Sequence, residues 1–461
     1  MKQDRPEPHP GGALLRIKRV AIAGLFRLYD HDIPLHMQDR VTILHGPNGV
    51  GKTALLRLIA AAFDGRLADI TKVPFRRLDI ELSNGSMITF EQTEKRDKRD
   101  QLEIELKLSL ETGGKVEHTS ALTLGSLEQR EMLANLAAKT SILERLGPDL
   151  WMDRNVGEEV STSDAYARYF ERVGMNQERS RSITEPEWFT ELRCRVQVHL
   201  IETQRLLRMN PADPARSVRQ RAVVVPTVRD YARDLQTRIT ETLARYATES
   251  QSLDQSFPQR LLKAGGQPGL TTSDLKARMS DLDVKRAELQ KIGLLDSATS
   301  SPFDVASLDD LDPAQRNVMS LYVEDTQEKL AVLESLSQRI TILLGNVNGK
   351  FRNKSIQIHR DQGFVVIGPN AAPLDADSLS SGEQHELVLL YDLLFRVRPG
   401  TLVLIDEPEL SLHVGWQKRF LPDLLEIVRT AQFDALVATH SPFIVGDRSD
   451  LMVPLAADID A

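Results

Sequence analysis

Two runs in this chain hold side chains whose types and spacing could do chemistry. Gly46-Pro47-Asn48-Gly49-Val50-Gly51-Lys52-Thr53 reads G-x-x-x-x-G-K-T, the P-loop pattern, in which glycines let backbone N–H groups turn inward on a phosphate. Lys52 would reach the β- and γ-phosphates of a nucleotide, and Thr53 would place its hydroxyl on Mg²⁺. An apolar run (Val41, Ile43, Leu44) precedes the pattern and a helix-like run from Ala54 to Phe63 follows it, so a helix N-terminus would sit behind the anion. Far along the chain, the apolar run Thr401-Leu402-Val403-Leu404-Ile405 ends in Asp406 and Glu407. At the carboxyl end of a buried parallel strand Asp406 would hold Mg²⁺, and Glu407 would orient or deprotonate an attacking water. Acids at a strand end often only cap the next helix; the P-loop elsewhere in the chain favours the chemical reading.

Two shorter runs complete the set. Leu379-Ser380-Ser381-Gly382-Glu383-Gln384 precedes an apolar helix from Leu387 to Phe395, a serine and glycine turn at a helix N-terminus and so a second anion cradle. One chain already holds one phosphate cradle, so a second invites the nucleotide of another molecule. Ala435-Leu436-Val437-Ala438-Thr439 is a short strand ending at His440, with room for a helix (Trp416 to Val428) between it and Glu407. A histidine after a strand is most often structural; its distance from Glu407 suits a neighbouring parallel strand.

The elements that must position these residues lie at both ends of the sequence. Strands are expected from Leu14 to Phe26 and at 41–45, then an antiparallel meander over Leu78–Leu82, Met87–Phe90, Leu102–Leu110 and Val116–Leu124. The mixed-charge run Glu94 to Asp100 reads as a solvated hairpin loop, with a nucleic-acid contact as its rival. From Ser126 to about Gly174 the pattern turns helical, and Val196 to Ile201 returns to strand character before Gln204. Long amphipathic helices are expected over Val228–Tyr246 and 314–347, with another at 272–292 between glycine- and serine-rich breaks. Val323, Leu330, Leu333, Ile340, Leu344 and Val347 form much of a coiled-coil seam interrupted by Thr326 and Ser337, so a short helical arm and a globular helical lobe both stand. Strand character resumes at Ser355–Ile358 and Phe364–Ile367, and Gly368-Pro369-Asn370 reads as a turn. The domain division expected is a lead-in (1–12), one half of a head (13–125), a helical lobe or arm (126–349) and the other half of the head (350–461).

Composition bounds the classes. A chain of 461 residues suggests two or three structural units. Lys plus Arg number 58 against 66 Asp plus Glu, a net charge of −8, which disfavours a dedicated nucleic-acid coat. Arg76-Arg77, Arg179 to Arg181 and Arg193 to Arg195 keep DNA as a candidate partner. The single cysteine, Cys194, fits a reducing cytoplasm. No apolar run approaches the roughly 20 residues of a membrane helix, and the first twelve residues lack the apolar segment of a signal peptide. A cytoplasmic protein with no membrane partner is expected.

Together the four runs resemble ATP-binding-cassette ATPases of the SMC, RecF and OLD type. Gly46–Thr53 is similar to their Walker A motif, Leu379–Gln384 to the family signature, Ile405–Glu409 to Walker B with its catalytic glutamate, and Thr439-His440-Ser441 to the switch histidine. Ser411-Leu412-His413 occupies the D-loop position, where transporters and SMC heads commonly carry an aspartate; E-P-E-x-x-L-H is the form similar to OLD-like ATPases. The resemblance implies an α/β P-loop head with a mixed central sheet, an antiparallel β subdomain and a helical lobe or arm. It implies ATP and Mg²⁺ as cofactors, with Asn48, Gly49, Val50, Gly51, Lys52 and Thr53 on the phosphates and Thr53, Asp406 and Gln204, the Q-loop candidate, on the metal. Glu407, His440 and Lys52 would be catalytic. Two heads would sandwich two ATP molecules, Ser380, Ser381 and Gly382 of one facing the nucleotide of the other, as a homodimer or higher homo-oligomer.

OLD-family nucleases carry a TOPRIM domain after this point, and the sequence reaches Ala461 shortly after His440, so the effector is expected on a separate protein. Stand-alone ATPases of antiphage systems resemble this arrangement, among them PtuA of Septu, with an HNH nuclease partner, and AriA of PARIS, with a TOPRIM partner. The expectation is therefore a sensor or regulator of a nuclease in antiphage defence. The alternative is a DNA-binding head of DNA repair or chromosome maintenance, akin to RecF or SMC.

Overall fold

The structure, a computed structural model, describes residues 14–96, 102–124, 142–146, 150–154, 158–161, 185–201, 207–209, 224–264, 269–296, 311–375, 378–412 and 414–455, with positions 133, 136, 137, 165, 169 and 308. β1 (Ile17–Leu25) and β2 (Tyr29–Pro34) form a hairpin, and β3 (Val41–His45) leads to α1 (Lys52–Phe63) and the single turn α2 (Leu67–Ile70). The meander follows as β4 (Arg77–Leu82), β5 (Ser86–Arg96), β6 (Leu102–Thr112) and β7 (Lys115–Leu124). Then come β8 (Leu143–Arg145), β9 (Leu150–Asp153), β10 (Glu158–Ser161), α3 (Glu187–Arg195) and β11 (Val198–Ile201). A small pair, β12 (Leu207–Met209) and β13 (Val224–Pro226), precedes α4 (Thr227–Ala264), α5 (Thr272–Lys291) and α6 (Pro313–Asn348). The last part holds β14 (Ser355–His359), β15 (Gly363–Ile367), β16 (Pro373–Leu374), α7 (Ser381–Tyr391), β17 (Leu402–Asp406), α8 (Val414–Ala431), β18 (Asp434–Thr439), α9 (Pro442–Val445) and β19 (Met452–Pro454).

These elements divide between two compact units. One contains the described residues up to Ile201 together with Pro399–Pro408 and those from Phe433 onward; the other contains Glu202–Arg398 and Glu409–Gln432.

In the first unit, five strands in the order β11-β17-β18-β3-β19 pair in parallel throughout. Leu402 to Ile405 of β17 and every residue of β18 are buried, which is why both read as unbroken apolar runs: a sheet covered on both faces needs no alternation. Antiparallel strands gather in a separate six-stranded sheet, β2-β1-β4-β5-β6-β7. There period two is plain, with Leu78, Ile80 and Leu82 of β4 buried and the residues between them less so. Both sheets share one core with α1, in which Leu44, Leu55, Ile59, Ile80, Phe90 and Leu404 are buried.

The expected helical stretch from Ser126 to Gly174 is corrected. Its described residues include the antiparallel three-stranded sheet β10-β9-β8, with Val160 opposite Trp151 and Trp151 opposite Arg145. Leu143, Trp151 and Val160 close a small core with Leu133 and Ala165, of which Leu133 and Ala165 are helical. Strands of three or four residues are too short for their period to show.

In the second unit, α4 and α6 run antiparallel, as the cross-links Arg260 to Asp325 and Lys329 to Asp254 show. α5 packs on α6 with Leu275, Met279, Leu282 and Leu289 buried, and Arg286 reaches the Tyr322 hydroxyl at 3.2 Å. The helices therefore form a three-membered lobe rather than a two-helix arm. Thr326 and Ser337, which interrupt the seam, donate their hydroxyls to Tyr322 O and Glu334 O of their own helix. The β14–β15 hairpin presses on α4 at Gly363, where φ is 76° and a Cβ would lie 1.9 Å from Ala232 O. Below it, Tyr231 bonds Asp392 and Tyr391 bonds Asp234, the two rings stacked 4.6 Å apart, fastening α4 to the C-terminal end of α7.

Candidate functional site

In a parallel sheet the carboxyl ends of the strands all open on one edge, and ligands of such sheets bind there. β3, β18 and β17 are consecutive neighbours, with Thr439 opposite His45 and Asp406 opposite Ala438. The loops that leave these three ends are the P-loop, the turn at His440 and the turn at Glu407. Sequence positions that are far apart thus converge: Lys52, Thr53, Asp406, Glu407 and His440 share one edge.

The P-loop is built as a cradle. Gly49 and Gly51 have φ of 89° and 94°, and Gly51 is the N-cap of α1, so no side chain caps the amides of its first turn. A Cβ on Gly51 would stand 2.3 Å from Leu25 Cδ2, and one on Gly46 would stand 2.8 Å from Leu455 O. At Gly46 the loop runs too close to a backbone carbonyl for a side chain, and at Gly51 the positive φ is what disfavours one. Asn48 and Gly49 are exposed at its rim and Val50 is buried.

Lys52 is 5% exposed and donates to Gly46 O at 2.8 Å and Pro47 O at 3.0 Å, with His440 Nδ1 3.2 Å away. Thr53 Oγ1 donates to Asp406 Oδ1 at 3.1 Å. A hydroxyl and a carboxylate at that separation suit a Mg²⁺ site, because this ion takes one or two protein ligands and completes its shell with phosphate and water. Glu407 carries φ of 43°, a left-handed backbone that side chains other than glycine rarely adopt, and its N–H donates to Ala438 O at 2.9 Å. His440 Nε2 lies 3.8 Å from Glu407 Oε1, both side chains about one-third exposed.

Ser380, Ser381 and Gly382 lie in the other unit, at the N-terminus of α7. Ser380 and Ser381 are exposed and Gly382 is partly so. The turn is held by a capping box: Ser380 N donates to Glu383 Oε2 at 2.7 Å, and Glu383 N to Ser380 Oγ. Burial works to raise the Glu383 carboxyl, and the bonds from Lys354 and Ser380 outweigh it, so the group is held below its ordinary value. Gln204 and His413 lie outside the described residues.

Two residues of this surrounding escaped the sequence reading. His31 of β2 is buried, and its Nε2–H donates to Val50 O at 2.8 Å, bracing the apex of the P-loop from below. Its one sequence signal is period two, which puts it on the inner face with Ile33. In the second unit, buried Gln417 donates to Glu409 O at 3.3 Å and Leu412 O at 3.1 Å, bracing the loop after the carboxylate pair. Nothing local marks it.

Residues 20–188 match a family described as "AAA domain", and residues 329–446 match one described as "AAA domain, putative AbiEii toxin, Type IV TA system". The chain is 34% identical over 99 residues to the Retron Ec83 probable ATPase of Escherichia coli, a stretch of 19% of this chain and 18% of that protein. The match thus spans under a fifth of the relative's length. Among solved structures, the chain is similar to the Smc head domain bound to the C-terminal domain of ScpA from Pyrococcus furiosus, at 12% identity, 96% and 93% coverage and a TM-score of 0.33. The SMC head domain from Thermotoga maritima matches at 12% identity, 96% and 95% coverage and a TM-score of 0.31. Among the described residues no helix is long and apolar enough to cross a membrane.

Proposed function

We propose that this chain, which carries AAA-family ATPase domains in the N-terminal and C-terminal parts of its sequence, binds ATP with Mg²⁺ at Gly46–Thr53 and hydrolyses it. Two or more chains then pair through their heads around nucleotide, and the pair switches a separate effector, a nuclease, in antiphage defence. The observation that carries the ATPase reading is the convergence of Lys52, Thr53, Asp406, Glu407 and His440 on one edge of the parallel sheet.

Each group has a part its position allows. The amides from Asn48 to Thr53 bind phosphate oxygens, and Lys52 trades its loop carbonyls for them. Thr53 and Asp406 hold Mg²⁺, which supplies charge to offset the phosphates. Glu407 orients the attacking water and takes its proton, and His440, beside both Glu407 and Lys52, steadies the outer phosphate. Ser380, Ser381 and Gly382, exposed at the start of α7, supply the facing half of a partner's site.

The regulatory part is supported by the local match to a retron's probable ATPase and by the similarity of the motif set to stand-alone defence ATPases such as PtuA and AriA. The DNA-binding reading is less favoured, because two of the described arginines that would serve it are answered by carboxylates. Arg77 pairs with Asp79 and Glu91, and Arg193 pairs with Glu185. Arg179 to Arg181 lie outside the described residues.

Phage challenge of cells carrying the chain with its neighbouring genes tests the role. Fewer plaques are expected than in cells lacking the locus, with protection lost in Lys52→Ala. Equal plaque counts with and without the locus sink the defence role, and an absence of ATP turnover in the purified complex sinks the enzyme.

A further inference from the structure

Two lysines sit on the short connector that joins α6 to β14, and both reach carboxylates on the helix that begins with Ser381. Lys354 Nζ donates to Glu383 Oε2 at 2.9 Å and to Ser378 O at 3.0 Å, so it grips the turn from both sides of Ser380. The same carboxylate oxygen accepts the Ser380 N–H. Three residues on, and on the same helix face, Glu386 pairs with Lys350, whose ammonium also lies 2.8 Å from Asp423 of α8. Lys350, Glu386 and Asp423 are all buried.

We infer that Lys350 and Lys354 are positioning residues for the Ser380–Gly382 turn: they anchor the first two turns of α7 to the α6–β14 connector and to α8, and so set how that turn faces a partner's nucleotide. This rests on the head pairing proposed above and assigns the residues that make it geometrically exact enough to work. Other side-chain bonds to the turn come from its own helix, Gln384 Nε2 donating to Leu379 O at 3.0 Å and His385 Nδ1 lying 2.8 Å from Ser381 O. Ser380 and Ser381 are exposed, and Leu379 is the one buried apolar side chain among Leu379–Gly382. The capping box fixes the turn to its own helix but not to the rest of the unit; the lysines supply that second attachment.

The two play different parts. Lys350 is a buried cation shared by two buried carboxylates, Asp423 also lying 4.0 Å from Arg419, and removing Lys350 takes away the ammonium that links Glu386 of α7 to α8. Lys354 is partly open to solvent, at 22% for its side chain, and its loss frees the Glu383 side of the turn while leaving the core intact. A displacement of about 1 Å at a group that aligns reacting parts costs on the order of 10²-fold in rate.

The test uses the full chain in a Glu407→Gln background, which traps the ATP-bound pair. Lys354→Met is expected to bind ATP as tightly as its parent, to weaken ATP-dependent pairing measured by light scattering at least about tenfold, and to be rescued by Lys354→Arg. With Glu407 restored, kcat falls and KM for ATP holds. Glu383→Gln is expected to weaken pairing in the same direction, and the double variant to cost less than the two single effects added, since both weaken the Lys354–Glu383 contact while Lys354 alone also holds Ser378 O. Pairing of Lys354→Met equal to the parent overturns the positioning role, as does a loss that Lys354→Arg fails to rescue or that ATP binding shares. A Glu407→Gln parent that never pairs with ATP overturns the head pairing itself.

Discussion

Lys52 Nζ donates to His440 Nδ1 across 3.2 Å while it also holds Gly46 O and Pro47 O. An ammonium cannot accept, so Nδ1 must carry the lone pair and the ring proton must sit on Nε2, the nitrogen 3.8 Å from Glu407 Oε1. His440 is thereby oriented between Lys52 and Glu407, the residues proposed above to bind phosphate and to activate water. In the reading proposed above Lys52 and the loop amides carry the phosphate contacts, so ATP affinity is expected to hold within a few-fold in His440→Ala. Turnover is expected to fall by about 10²-fold, the usual cost of one stabilising donor at a reacting group. Steady-state kinetics separate the two, and a raised KM with unchanged kcat would contradict the assignment.

Glu407 sits in a left-handed backbone, φ 43°, immediately after a buried parallel strand. Such a conformation costs a side-chain residue about 1–2 kcal/mol, and glycine recovers part of it. Glu407→Gly is therefore expected to raise stability by about 0.5–1 kcal/mol, read as a higher denaturant midpoint, while abolishing turnover. Glu407→Gln keeps the strain and is expected to lose turnover by about 10²–10⁴-fold with stability unchanged. A Glu407→Gly chain less stable than the parent would show that the side chain itself, and not the backbone, dominates this turn.

The parallel sheet was legible because burial on both faces leaves continuous apolar runs, as at Leu402–Ile405 and Ala435–Ala438. The P-loop and the helix start at Ser380–Gly382 were legible because their physics is local: positive φ needs glycine, and serine and glycine mark a helix N-terminus, whereas the capping box with Glu383 came only with the structure. His31, Gln417, Lys350 and Lys354 were not, since each acts on a partner that the chain reaches only after folding. The lobe was half legible. Thr326 and Ser337 break the coiled-coil seam in sequence, and only α5 lying along α6 shows what fills the side of a helix that needs more than one neighbour.

Glu383 gives the site a pH signature. Its carboxyl is held below its ordinary value when folded, because the bonds from Lys354 and Ser380 outweigh the cost of burial. A group whose folded pKa is depressed contributes stability that is fully present above its unfolded value, about 4.3 for a glutamate, and that fades as pH falls through the folded value. The chain is thus expected to be more stable than Glu383→Gln near neutral pH, with the gap constant down to about 4.3 and shrinking below it. Lys354→Met should show a smaller pH-dependent part, because the largest of the bonds that lower the carboxyl is gone. Denaturant midpoints of the three chains across the acid range measure this. A gap that closes between neutral and mildly acidic pH would assign the effect to a group that titrates higher than Glu383, and the carboxylate grip on the turn would then be wrong.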